Sequence, residues 1–370
     1  MTTRPSQTPL VAALPATVPF VGPEAQERSR GAKFRARIGA NESCFGPSPR
    51  VIAAMTAAAA DMWMYCDPDN YDLKTALAVH LGVGYDNVVI GEGIDGLLNL
   101  LVRMYAGPGT PVVTSLGAYP TFNFHVAGFG ARLVAVPYEN DRESLDGLLA
   151  AARRENAPLV YLSNPDNPMG TWWEAGEITR FIEALPETTM LVLDEAYGET
   201  GPKSAQPPID VSRPNVIRMR TFSKAYGLAG IRCGYAIGEA GVIRDFEKVR
   251  NHYGVNRMAL VAGAAAVADR AYLDQVVAKV AAGRDRISAI ARANGLTPVP
   301  SATNFVTIDC GSDGAFALKV MQDMLSRDVF IRKPMVPGLD RCIRVSVGLD
   351  HELTVFEQEL PAALAAARTK

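Results

Sequence analysis

Histidine is scarce in this chain of 370 residues. The four present, His80, His125, His252 and His351, show no H-E-x-x-H or other ligand spacing, so no histidine-built metal site is expected. Cysteine is nearly as rare. Cys44, Cys66, Cys233, Cys310 and Cys342 are odd in number, scattered, and without a C-x-x-C pair, which argues against a disulfide framework and suits a reducing compartment. Excess charge of either sign is also missing. Lys and Arg number 37 against 39 Asp and Glu, a net charge of -2, so neither nucleic acid nor an anionic membrane is expected as a partner. No apolar run approaches the ~20 residues of a membrane helix. The stretch from Leu10 to Val18 is broken by Pro15 and preceded by Arg4 alone, a poor signal peptide. A cytoplasmic location is the expectation.

What is present is apolar residue, at 48%, enough for a full core and too much for a disordered scaffold. Residues 1–30 are rich in Pro and Thr and read as an extended arm. Helices are predicted at Val51–Ala60 and Leu73–Leu81, with a turn at Asp67–Asn70 between them. Short apolar runs then recur between helical stretches: Asn87–Ile90, Pro111–Thr114, Leu133–Val136, Leu159–Leu162, Met190–Leu193 and Val216–Met219. Runs that are apolar throughout suit a sheet buried on both faces, so the pattern predicts an α/β fold with a mostly parallel central sheet between helices. From about Leu273 a long helix leads to strands at Asn304–Asp309, Val329–Arg332 and Ile343–Val347 and helices at Ala315–Leu325 and His351–Leu360. We expect an N-terminal arm over 1–48, a large domain over 49–272 and a smaller α/β C-terminal domain over 273–370.

In an open α/β sheet ligands sit beyond the carboxyl ends of the strands. Asp194-Glu195-Ala196-Tyr197 follows one run, and a half-buried Asp194 needs a cationic partner to stay ionised. Ser163-Asn164-Pro165-Asp166-Asn167-Pro168-Met169-Gly170 follows another and forms a rigid turn. A third run leads into Thr221-Phe222-Ser223-Lys224, with Arg232 eight positions beyond the lysine. Hydroxyls, glycines and an arginine together make a phosphate cradle. The fourth enters Gly91-Glu92-Gly93-Ile94-Asp95-Gly96 and a helix start that can bind anions. Read alone, each has a bland alternative: a capping Asp, a tight turn, a surface lysine. The glycine pattern also matches a dinucleotide fingerprint, but the acidic ribose ligand expected ~20 residues later is absent. One chemistry employs all four segments. Pyridoxal phosphate needs a lysine, a carboxylate for its ring nitrogen, donors for its phenolic oxygen and a phosphate site. Lys224, Asp194, Asn167 with Tyr197, and Gly93–Asp95 with Ser223 and Arg232 fill those places.

The same segments resemble the class I/II, fold-type I pyridoxal-phosphate aminotransferases, and within them the histidinol-phosphate aminotransferase branch. The resemblance runs from Pro19 to about Leu360. Besides the segments above, it rests on Ala40-Asn41-Glu42-Ser43, Gly46-Pro47-Ser48-Pro49, Tyr65-Cys66-Asp67-Pro68, Gly230-Ile231-Arg232-Cys233-Gly234 and Ile343-Arg344-Val345-Ser346-Val347-Gly348.

The resemblance implies a homodimer with composite sites, taking a small amino donor and a 2-oxo acid acceptor. Lys224 would be the Schiff-base lysine and proton shuttle, and Asp194 the partner of the pyridinium nitrogen. Asn167 and Tyr197 would bond the phenolic oxygen, with Tyr119 stacked on the ring. Gly93, the amides of Ile94 and Asp95, Thr221, Ser223 and Arg232 would hold the phosphate, with Tyr65 reaching it from the other subunit. Arg344 and Arg332 would bind the substrate's anionic end near Asn41 and Phe20. The chain departs from the family at Ile94 (usually Ser or Ala), Gly96 (Glu), Met169 (Thr) and Phe20, where the branch often has tyrosine. These departures bear on the substrate. Histidinol phosphate is the leading donor, an aromatic amino acid the second, and a phospho-amino-acid decarboxylase of the same fold a third reading. A cofactor-binding transcriptional regulator would need a DNA-binding domain, which the irregular first 30 or so residues cannot form.

Overall fold

The computed structural model describes residues 4–16 and 21–369. Its centre is a seven-stranded sheet in the order Val88–Gly91, Gly234–Ile237, Val216–Thr221, Met190–Asp194, Leu159–Ser163, Pro111–Ser115, Arg132–Val136. All neighbours are parallel except Gly234–Ile237, which runs antiparallel to both strands beside it. The inner strands are buried end to end because helices cover both faces. Leu97, Leu101, Phe122 and Val126 pack on one face, Leu148, Ala152, Ile178 and Phe181 on the other.

The apolar runs mark the parallel strands to within two residues, but they miss Gly234–Ile237. That strand is four residues long and follows directly on the Arg232 turn. A Cβ at Gly234 would lie 2.9 Å from the Ile94 backbone nitrogen, so glycine alone lets the strand pass the start of helix Gly93–Tyr105.

A three-stranded antiparallel sheet, Thr297–Pro298, Phe305–Asp309 and Cys342–Ser346, lies against helices Arg270–Ala293, Gly314–Ser326 and Asp350–Thr369. Strand Ala36–Arg37 pairs in parallel with Val329–Phe330, and Ala36 and Ile38 enter the same core as Val306, Val345 and Phe356. Three expectations change here. The N-terminal stretch is not extended throughout, because Pro9–Ala13 and Pro23–Arg30 are helices, each opened by a proline at its first position. The Val329 strand is shorter than expected, and Arg332 meets Arg344 through a single antiparallel bridge. The last helix does not stop at Leu360. It continues through Pro361 to Thr369, since Ala363, Leu364 and Ala367 keep its apolar stripe on the core.

Among the described residues no helix is long and apolar enough to cross a membrane, and no cluster of His, Cys, Asp and Glu could hold a metal ion.

Candidate active site

Where strands Leu159–Ser163, Met190–Asp194 and Val216–Thr221 end, a cavity of about 260 Å³ opens. Lys224 stands in it just past the last of these strands, with Nζ 3.0 Å from the carbonyl oxygen of Asn41. Asn41 takes a left-handed backbone conformation, φ +56°, and is buried. Its side chain is engaged inside the protein, donating from Nδ2 to the Tyr197 hydroxyl at 3.2 Å and accepting from Ser346 Oγ at 2.9 Å. Asn41 thus presents its carbonyl to the lysine and its amide to Tyr197.

Asp194 is the last residue of its strand, and its carboxyl is buried in the cavity wall. The Tyr161 hydroxyl donates to Oδ2 at 2.7 Å and the Ala196 N–H to Oδ1 at 2.9 Å. No described cation pairs with it. The adjacent Glu195 takes both nearby guanidiniums, Arg218 at 2.5 Å and Arg220 at 2.9 Å, away from the cavity. Burial therefore dominates and pushes the Asp194 carboxyl up to about 6, against the pull of its two donors. A buried carboxylate that lacks a cation fits a ligand that brings one.

Another part of the cavity wall is built for an anion. Ser223 N–H donates to Thr221 Oγ1 at 3.0 Å, and Arg232 Nη1 reaches Ser223 Oγ at 3.4 Å and the Ala229 carbonyl at 2.9 Å. Gly93 has φ +76°, and a Cβ there would sit 2.6 Å from Arg232 Nη2. Glycine lets the guanidinium approach the helix start, where Ile94 and Asp95 carry amides without helical partners. The Asp95 carboxylate is occupied by the Tyr119 hydroxyl at 2.8 Å and by Arg232 at 3.4 Å. Tyr119 also lines the cavity, and burial raises its hydroxyl well above the usual phenol value.

On the remaining side the Asn164–Gly170 turn brings in Asn167, whose Oδ1 accepts from Arg344 Nη1 at 2.6 Å. That bond turns the Asn167 amide so that Nδ2 is left to donate. Arg344 lies with its guanidinium carbon 5.1 Å from the centre of the Phe305 ring, and its buried Nε has no partner among the described residues.

Lys224, Asp194, Tyr197, Tyr119, Asn167, Thr221, Ser223, Arg232, Ile94 and Asp95 line one cavity. Gly93 shapes its edge, and Asn41 and Arg344 touch lining residues. Arg332 does not line it. Its backbone pairs with Arg344 and its Nη2 donates to the Val21 carbonyl. Tyr65 is 81% exposed outside the cavity, its ring 5.1 Å from that of Tyr253. Phe20 lies outside the described residues. Met169 is wholly buried with Val299, Leu339 and Cys342, so its side chain fills a core where a threonine would leave space.

Sequence reading missed Tyr161, Ser163 and Glu42 as cavity residues. Tyr161 was hidden inside an apolar run. Alternation along the strand was the available signal: it puts Tyr161 on the face of Ser163, and Ser163 pairs in register with Asp194.

The amine, the uncompensated carboxylate, the amide and phenol donors and the anion cradle suit one ligand. It would carry a carbonyl carbon, a protonated ring nitrogen, an anionic ring oxygen and a phosphate.

The family model for class I and II aminotransferases matches residues 36–355. The chain is 34% identical over 346 residues to a histidinol-phosphate aminotransferase of Moorella thermoacetica, covering 92% of this chain and 89% of that protein. It is 37% identical over 334 residues to histidinol-phosphate aminotransferase 1 of Thiobacillus denitrificans, covering 90% and 86%. The crystal structure of a histidinol-phosphate aminotransferase from Sinorhizobium meliloti in complex with pyridoxal-5'-phosphate is 56% identical. It superposes with a TM-score of 0.96 over 98% of this chain and 99% of that one.

Proposed function

The chain belongs to the class I and II aminotransferase family, and we propose that it is a pyridoxal-phosphate-dependent transaminase that moves the amino group of histidinol phosphate to 2-oxoglutarate. The observation that carries this reading is the cavity itself, where Lys224 and a buried Asp194 without a cation stand beside an anion cradle. The relatives named above support the same donor.

When bound, pyridoxal phosphate supplies an aldehyde that links to amines and a protonated ring that takes up the electron pair released at the donor's Cα. Lys224 Nζ would hold the cofactor in the resting enzyme and, once released by the donor, would serve as the base that takes the proton from the donor's Cα. Asp194 keeps a proton on the ring nitrogen, the interaction its buried carboxyl lacks within the chain. Asn167 Nδ2 and the Tyr197 hydroxyl donate to the ring oxygen. Tyr119 would pack on the ring, and Ser223, Thr221, Arg232 and the first amides of helix Gly93–Tyr105 would hold the phosphate. Arg344, with Arg332 behind it, anchors the donor's anionic end. A guanidinium fork with an unpartnered Nε suits a phosphate.

We further propose a cytoplasmic homodimer in which Tyr65 of the partner subunit reaches the phosphate. The chain would divide into an arm to residue 48, a cofactor-binding domain to residue 272 and a C-terminal domain. The test of the substrate is a panel of amino donors with 2-oxoglutarate. Histidinol phosphate is expected to give the highest kcat/KM, with phenylalanine and tyrosine slower. A higher kcat/KM for phenylalanine would make this an aromatic aminotransferase, and release of CO2 would make it a decarboxylase.

A further inference from the structure

We infer that Tyr161 is a positioning residue for the reaction: its hydroxyl fixes the Asp194 carboxylate and thereby sets how firmly that carboxylate keeps a proton on the cofactor's ring nitrogen. The inference rests on the reading of Asp194 given above.

Tyr161 is in the middle of strand Leu159–Ser163 and wholly buried, an uncommon place for a phenol unless its hydroxyl has a partner. Its ring stacks on Phe122, centroids 4.6 Å apart and planes at 20°, so the hydroxyl cannot swing away. The 2.7 Å bond to Asp194 Oδ2 is the only side-chain donor that carboxylate has among the described residues. The backbone N–H of Ala196 serves Oδ1. Asp95 and Glu195 both disfavour its ionised form, while Lys224 and Arg232 line the same cavity. Arg218 and Arg220 are spent on Glu195.

The consequence is chemical. A carboxylate that loses a donor in a buried site becomes more basic. Facing a protonated ring nitrogen, it then draws the shared proton toward itself. The ring carries less charge and accepts the Cα electron pair less readily, so proton removal by Lys224 slows. Donor binding depends on other residues and is unaffected.

Tyr161→Phe removes one oxygen and keeps the ring on Phe122. The test compares wild type, Tyr161→Phe and Asp194→Asn as holoenzymes loaded with pyridoxal phosphate isotopically labelled at its ring nitrogen. The ring-nitrogen NMR signal is read beside kcat and KM, with circular dichroism to verify the fold. Loss of one bond to a charged group predicts a fall in kcat of roughly tenfold or more, with KM nearly unchanged. The nitrogen signal should move toward that of an unprotonated pyridine, and further still in Asp194→Asn. A Tyr161→Phe enzyme with wild-type signal and kcat, where Asp194→Asn has lost both, would overturn the inference and leave the reading of Asp194 intact. An unchanged signal in Asp194→Asn would overturn that reading, and the inference with it.

Discussion

Arg344 Nη1 donates to Asn167 Oδ1 at 2.6 Å, a bond that ties the three-stranded sheet to the Asn-Pro turn at the carboxyl end of an inner strand of the central one. On the proposed roles, a substrate anion on Arg344 would be one bond away from the amide that would serve the cofactor. Arg332 has no such contact, and its guanidinium is turned to the Val21 carbonyl.

Arg344→Ala is therefore expected to lower kcat/KM for histidinol phosphate by roughly a hundredfold, the cost of lost bonds between charged groups. Arg332→Ala should cost about tenfold or less on the same basis. Arg344→Lys should not restore activity, because an ammonium cannot bond Asn167 and a phosphate with the geometry of a fork. Steady-state kinetics on the three variants decides, and a larger loss in Arg332→Ala would reverse the assignment.

Asp194→Asn should fold and lose at least two orders of magnitude in kcat, since a neutral amide cannot keep the ring nitrogen charged, each tenfold being about 1.4 kcal/mol of barrier. The same change should stabilise the cofactor-free protein. Its carboxyl titrates at about 6 when folded, above the ordinary 3.8, so the folded state favours the proton. Stability is lost as pH rises through that interval. A gap of about two pH units is worth at most about 3 kcal/mol near pH 8 and nothing near pH 3. Urea unfolding of the two apo-proteins at both pH values measures it. Equal stability at pH 8 would mean that the buried carboxyl is satisfied without a cofactor.

Trp63 is 82% exposed and near in sequence to the exposed Met62 and Tyr65, more uncovered aromatic surface than a lone subunit usually keeps. Light scattering should give twice the chain mass, and Trp63→Glu should weaken the dimer and reduce cofactor affinity together. A fully active monomer would contradict the composite site.

Much of this was legible in the order of residues. Strands apolar throughout announced a sheet buried on both faces, and polar residues at their carboxyl ends announced Lys224, Asp194 and Asn167. The hidden parts share a cause: their signal depends on what packs against them. Gly234–Ile237 looks like loop until Gly234 is seen beside the Ile94 amide. Pro361 should end a helix, yet the residues after it have a core to cover. Tyr161 reads as one more apolar strand residue until register puts its hydroxyl on Asp194. Asn41 gives no sign in the sequence that its left-handed backbone turns its carbonyl to Lys224.

Lys224 is the amine proposed to carry the cofactor. Its Nζ stands in the cavity, hydrogen-bonded to the Asn41 carbonyl and 5.5 Å from the centre of the Tyr197 ring, and is free to exchange those contacts for a covalent bond. Borohydride reduction of the holoenzyme followed by peptide mapping tests it directly. A single pyridoxyl-modified peptide with the label on Lys224 is expected, and no label in Lys224→Ala protein that still binds the cofactor. Reduced cofactor on any other lysine, or Lys224→Ala enzyme with wild-type turnover, would contradict it.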